Sequence, residues 1–187
     1  YDLLAVANPD DFSQTCAALD ERSAAKDSDV TVTSTLPIMT DNVTFTFGGK
    51  SETVQLIVVP DDRTNDLDDY VRLEDESKEP LSLRDGDVYL SKSSQLVLGI
   101  QPGDTAHVQD SSLNVAKVKV SDISLNYLGN TLYMTQGTYE RAFGRSARLN
   151  GVFVLLKGSS ADQIAFSKKL KSDGWLTISS TAEHWQN

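Results

Sequence analysis

Few residues in this sequence have types and spacing that could do chemistry. It has two histidines and one cysteine. His107 alternates with Ala106 and Val108, which puts its ring on the solvent side of a strand. His184 lies in the terminal Ala182-Glu183-His184-Trp185 stretch, read here as a mobile tail. Neither G-x-S-x-G nor H-E-x-x-H occurs, so no activated serine or zinc-bound water is indicated. Cys16 falls on an apolar helical face and reads as an inert thiol, because a reactive one needs a basic neighbourhood. One cysteine and two distant histidines do not make a zinc ligand set. Gly49-Lys50-Ser51 looks like the end of a phosphate loop, but that motif needs glycine where Thr44 stands. A hairpin turn accounts for it. The pair Asp61-Asp62 could exchange a proton only in a desolvated pocket that separates the two pKa values. Asn42-Val43-Thr44 matches a glycosylation acceptor, which matters only in a eukaryotic secretory route. Trp175, Tyr133, Tyr139 and Phe143 are candidates for partner contact but fit core positions better. The expectation is therefore no catalytic residue, no cofactor-binding residue, no metal ligand and no enzyme.

Charge narrows the partners. The 187 residues carry 17 basic and 27 acidic side chains, net −10. Such a surface repels phosphate backbones, so nucleic acid is excluded as a partner. Residues 1–60 are net −6, residues 61–90 net −7 and residues 91–187 net +3. The middle block holds no D-x-[DN]-x-[DN]-G string, so it is not a calcium loop of that kind. It reads as a solvated connecting stretch. No apolar run approaches the ~18 residues a membrane helix needs, and no signal peptide is visible. A folded chain of this mass can bury ~70% of its unfolded surface, enough for one core or two small ones.

The elements follow from periodicity. Leu3 to Ala7 reads as a buried strand. Asn8-Pro9-Asp10-Asp11 starts a helix whose apolar face is Phe12, Cys16 and Leu19. Val30 to Ile38 is a strand, with Val30, Val32, Leu36 and Ile38 expected on one side. Val43 to Phe47 and Thr53 to Val59 form a hairpin across Gly48-Gly49. Further on, Val88 to Leu90 is a strand, and Ser91 caps a helix to Gly99 with Leu96, Val97 and Ile100 as its apolar side. Gln101-Pro102-Gly103-Asp104 suits a type II turn. Thr105 to Val108, Asn114 to Ile123 and Thr131 to Met134 are strands. Tyr139, Ala142 and Phe143 mark a short helix that Gly144 ends. A closing β-α-β unit runs from the strand Gly151 to Leu156, through a helix opened by the Ser160/Gln163 capping spacing and stopped at Gly174, to the strand Trp175 to Ile178.

β-α-β units therefore lie at both ends, with a strand-rich segment between them. The expected fold is α+β: a porter-like split β-α-β lobe, residues 1–60 plus 150–187, with an inserted β-rich lobe, residues 61–149. The first and last strands should lie side by side. Hinges are expected near Pro60 and near Gly144 to Gly151, where the chain crosses between lobes.

The strings Asp85-Gly86-Asp87-Val88-Tyr89-Leu90-Ser91, Leu96-Val97-Leu98-Gly99-Ile100 and Gln101-Pro102-Gly103-Asp104-Thr105 resemble a pattern of the extracytoplasmic domains of MacB/FtsX-type ABC-transporter permeases. Val118-Lys119-Val120-Ser121-Asp122-Ile123 is similar to their V-x-V-s-G-I strand, with Asp122 where the family often has glycine. Tyr127 to Met134 and Tyr139 to Gly144 resemble their later motifs. The likeness covers residues 85–180 by motif order and residues 1–40 by pattern. Residues 60–84 match nothing in it. The resemblance implies a non-enzymatic domain held outside the cell membrane between two transmembrane helices. It implies as partners a cytoplasmic ATPase subunit, a second permease subunit, and outside the cell a peptide, a lipoprotein or a cell-wall hydrolase. It implies coupling of ATP hydrolysis to movement of this domain. The other reading of the sequence is a free-standing extracellular module that binds a solute or peptide.

Overall fold

The computed structural model describes residues 1–125 and 129–186. Tyr127 and Leu128, which open one of the strings above, lie outside the described residues. The fold is α+β, and the chain divides into two compact units: residues 1–38 with 148–187, and residues 39–147.

Unit 1 is an interlocked pair of split β-α-β elements. Its strands are β1 (Leu3–Val6), the first part of β2 (Thr31–Phe47), β9 (Gly151–Lys157) and β10 (Thr177–Ser180). Their order is β10-β1-β9-β2, with every neighbour antiparallel. The amino- and carboxy-terminal units thus interleave: β1 sits between β9 and β10, and β9 sits between β1 and β2. Helices α1 (Phe12–Ala24) and α4 (Ser160–Leu170) contribute Phe12, Leu19, Phe166 and Leu170 to a core with Leu3, Ala5, Val152 and Val154. Asn8 opens the first helical turn by accepting the Asp10 amide at 3.0 Å, as its side chain and Pro9 lead one to expect.

Two local details differ from the sequence reading. Leu36 and Ile38 do not continue the face of Val32. A β-bulge lies between Val32 and Ser34, so Val32 stands opposite Leu156 while Leu36 stands opposite Phe153. One extra residue, Thr33, inverts the alternation. Leu36, Ile38, Leu4 and Phe153 are buried on the other face of the sheet. The cap of α4 is Ser159, one residue before the expected Ser160. Its hydroxyl accepts the Asp162 amide, and Gln163 donates back to the Gly158 carbonyl at 3.1 Å.

Unit 2 is strand-rich. It holds the second part of β2, β3 (Lys50–Val59), β4 (Val88–Ser91), β5 (Thr105–Gln109), β6 (Val115–Lys119), β7 (Asp122–Ser124) and β8 (Thr131–Thr135). Their order is β7-β4-β8-β3-β2-β5-β6. Two short helices join them, α2 (Lys92–Leu98) and α3 (Gln136–Phe143). The core gathers Val43, Phe45, Val54, Leu56, Leu90, Ile100, Val108, Val118, Leu132 and Tyr139.

That core moves a boundary. The hairpin of residues 39–60 was expected in the first lobe, but Val43, Phe45, Val54, Leu56 and Val58 pack in the core of unit 2. The segments Val30–Ile38 and Val43–Phe47 are one continuous strand of 17 residues. β2 changes partner along its length: Ile38 faces Gly151 of β9, whereas Met39 faces Val58 of β3. The first crossing is therefore inside β2 and not at Pro60. The expected strand 114–123 is also two strands, because Val120 and Ser121 turn the chain from the partner β5 to the partner β4. The apolar side predicted for α2 is reversed in part. Leu96 and Val97 are 67% and 51% exposed, while Ser94, Gln95 and Leu98 face inward at i, i+1 and i+4. The stretch holding His184 forms a short helix, α5 (Thr181–Gln186).

Candidate functional site

The two ends of the chain meet. β1 and β10 pair from Leu3 opposite Ser180 to Val6 opposite Thr177. Beyond that ladder the Thr181 amide donates to the Asp2 carbonyl at 3.0 Å. The Thr181 hydroxyl donates to the Tyr1 carbonyl at 2.6 Å. The Asp2 carboxylate accepts the Leu156 amide at 2.7 Å, and the Tyr1 ring lies 4.9 Å from that of Phe153. The start of the chain and the start of α5 thus lie together at one end of the unit 1 strands. Antiparallel pairing forces this: the first residue of one strand must lie beside the last residue of its neighbour. What the arrangement can do is mechanical. It ties the first and last strands, and the residues beside them, to one sheet.

The acidic segment is a second candidate. Residues 61–87 are not merely a solvated connection. Leu67, Tyr70, Leu73, Leu81 and Leu83 are buried, while most of the carboxylates point outward. Both ends of the segment are fastened to α3. Asp61 accepts the Gly137 amide at 3.0 Å, where the helix N-terminus favours an anion. Asp85 pairs with Arg141, and the Gly86 amide donates to Thr138 at 2.9 Å. Tyr89 donates to the Ser82 carbonyl and to Asp87, each at 2.8 Å. Burial, then the Asp87 hydrogen bond, pushes its phenol well above the usual range.

The residues singled out by the sequence are not brought together. Cys16 is half-buried in α1, and burial followed by the nearby Asp20 pushes its thiol up to about 11. His107 is exposed on β5 opposite Lys117 and Thr46. Lys50 and Ser51 open β3 after a turn in which Gly48 and Gly49 both have positive φ, the two-residue hairpin form. Asp62 is exposed, and Asn42 is exposed in mid-strand. Tyr133, Tyr139 and Trp175 are buried, and Phe143 packs against the unit 2 core with its ring 4.8 Å from Tyr139.

Sequence reasoning missed one feature of unit 1. A cavity of about 300 Å³ lies beside α1 and α4, lined among others by Glu21, Arg22, Asp29, Asp162 and Asp173. Arg22 grips Asp173 with two hydrogen bonds, of 2.6 and 2.7 Å. That contact holds the Asp173 carboxyl below the usual carboxylate range. The partners are 151 residues apart, so no local pattern announces them. Among the described residues no group of three or more metal-ligating side chains occurs.

No protein-family model matches the chain, and a search of curated proteins gives no match. Among solved structures, the periplasmic region of MacB from Actinobacillus actinomycetemcomitans is similar over 98% of this chain and 90% of that one, at 15% identity and a TM-score of 0.47. The extracellular domain of the noncanonic ABC-type transporter YknZ from Gram-positive bacteria is similar over 92% of each chain, at 13% identity and a TM-score of 0.47. A domain of a putative permease protein from Porphyromonas gingivalis is similar over 79% of this chain and 70% of that one, at 11% identity and a TM-score of 0.41.

Proposed function

We propose that the chain is the extracytoplasmic domain of an ABC-transporter permease subunit, inserted between two membrane helices and moved by a cytoplasmic ATPase subunit. The observation that carries this reading is the pairing of β1 with β10, closed by the Thr181 contacts to Tyr1 and Asp2. A domain joined to the bilayer by both flanks needs its two ends at one base, and this sheet supplies that. The order of motifs from Asp85 to Gly144 supports the same family. In this reading the domain sits at the cell membrane, beside a second permease subunit. Movement of the flanking helices biases a two-state rearrangement outside the membrane. The outcome is export of a peptide or lipid-like cargo, or activation of an outside partner such as a lipoprotein or cell-wall hydrolase. No catalytic step is assigned to the domain.

Topology mapping of the full-length protein tests this. Apolar spans of about 20 residues are expected on both sides of the chain, with this domain open to protease from outside the cell. Polar flanks, or a lipoprotein signal ahead of Tyr1, would overturn it and favour the free-standing solute- or peptide-binding module. Spin labels placed in the two units of the full-length permease with its ATPase should give distances that change on adding ATP. Unchanged distances would remove the coupling from the proposal.

A further inference from the structure

The outward face of four strands in unit 2 carries mainly hydroxyl, amide and basic side chains. The cross-strand register defines it. Thr44 stands between Thr53 of β3 and Gln109 of β5. Thr46 stands between Ser51 and His107, with its hydroxyl 2.7 Å from that of Ser51. On β6, Lys117 faces His107 and Lys119 faces Thr105. Alternation keeps this face apart from the core, since Val43, Phe45, Ala106, Val108, Ala116 and Val118 point the other way and are buried. Thr44, Thr53, Thr105, His107, Lys117 and Lys119 are exposed. In a chain of net charge −10, no carboxylate occupies an outward strand position on β5, β6 or the β2 and β3 residues paired with them.

We infer that this face binds an anionic polysaccharide. Hydroxyls and amides spaced about 4.8 Å across strands and about 6.8 Å along them can exchange hydrogen bonds with sugar hydroxyls. The net charge of −10 opposes polyanions at long range, so selection of an anionic polymer over a neutral one rests on the local charge of Lys117 and Lys119, which acts within about a Debye length of ~8 Å. Nothing in this inference depends on a membrane setting, so it stands or falls separately from the permease reading.

The test is a titration of the isotope-labelled protein with polygalacturonate oligomers, followed by amide shifts in 50 and 300 mM salt. Dextran serves as a neutral polyol and poly-glutamate as an acidic polymer without hydroxyls. The expected result is shifts at Thr44, Thr46, Ser51 and His107, with binding weakened at least tenfold by Lys117→Gln with Lys119→Gln. Raising the salt should also weaken it severalfold. Thr44→Val with Thr53→Val keeps β-branched side chains in the strands and should weaken polygalacturonate binding severalfold through lost hydroxyls alone. Absence of binding at millimolar oligomer, shifts confined to other surfaces, or no effect of the lysine pair would overturn the inference. Equal binding of poly-glutamate would also overturn it and point to an acidic protein instead.

Discussion

The sheet of unit 1 and the acidic segment of unit 2 bury apolar side chains by different means. In unit 1, Leu3, Leu4, Phe153 and Val154 sit on strands whose backbone groups are paired along the ladder. In the segment 61–87, Leu67, Tyr70, Leu73, Leu81 and Leu83 are also buried, yet in place of a strand ladder the chain has a 3₁₀ segment, turns and two isolated bridges at Glu74. Backbone bonds outside any ladder, such as that from the Leu81 amide to the Leu73 carbonyl at 2.9 Å, hold part of its backbone, and side chains hold more of it. Asp75 accepts the amides of Ser77 and Glu79, Asp87 accepts the amide of Arg84, and Asp61 accepts the amide of Gly137. The acidity that marks the segment as a linker is thus partly its scaffold. A carboxylate that receives backbone amides satisfies groups a ladder would otherwise satisfy.

Truncations test that equivalence most strongly. Phe153→Ala in the unit 1 sheet should cost about 3–5 kcal/mol in urea unfolding. Leu67→Ala in the acidic segment should cost about 2–4 kcal/mol, measured the same way. A cost below about 0.5 kcal/mol for Leu67→Ala, the usual size for an exposed surface site, would return the segment to the status of a linker. Asp61→Ala should cost about 1 kcal/mol, since it removes the acceptor at the α3 N-terminus, while Asp62→Ala beside it should stay within about 0.5 kcal/mol.

Asp173→Asn gives a matching probe in unit 1. Arg22 holds the Asp173 carboxyl below its ordinary value, so the stabilisation is complete above the unfolded value near pH 4. It is lost as pH falls through the lower folded value. The variant should be about 1 kcal/mol less stable at pH 7, and the gap should close below about pH 4. A gap independent of pH would show that the ion pair is not its source. The smallest change in stability is expected at Cys16, where the readout is reactivity instead. With its thiol pushed up to about 11, labelling by a disulfide reagent at pH 8 should run on the order of 100-fold slower than in the urea-unfolded chain.

Much of this was legible from local patterns. The caps at Asn8 and Gly144, the Gly48-Gly49 hairpin and the β-α-β units at both ends depend on residues within a turn or two of each other, so spacing reveals them. Leu67 is the buried residue of the 3₁₀ segment Asp61–Asp69, but the carboxylates on either side of it hide that signal. Leu96 and Val97 misled for the opposite reason. Apolar type says nothing of direction in a seven-residue helix, and the side facing the core is chosen by what packs beneath.

The sequence by itself determined most of the strands and helices and the α+β class, because alternation, capping and turn chemistry act over short distances. Only the tertiary structure decided where one unit stops and the other begins, that Thr33 inverts the face of β2, and that Arg22 meets Asp173. Those outcomes depend on which distant strand or side chain arrives as partner, and that is settled by packing across the fold.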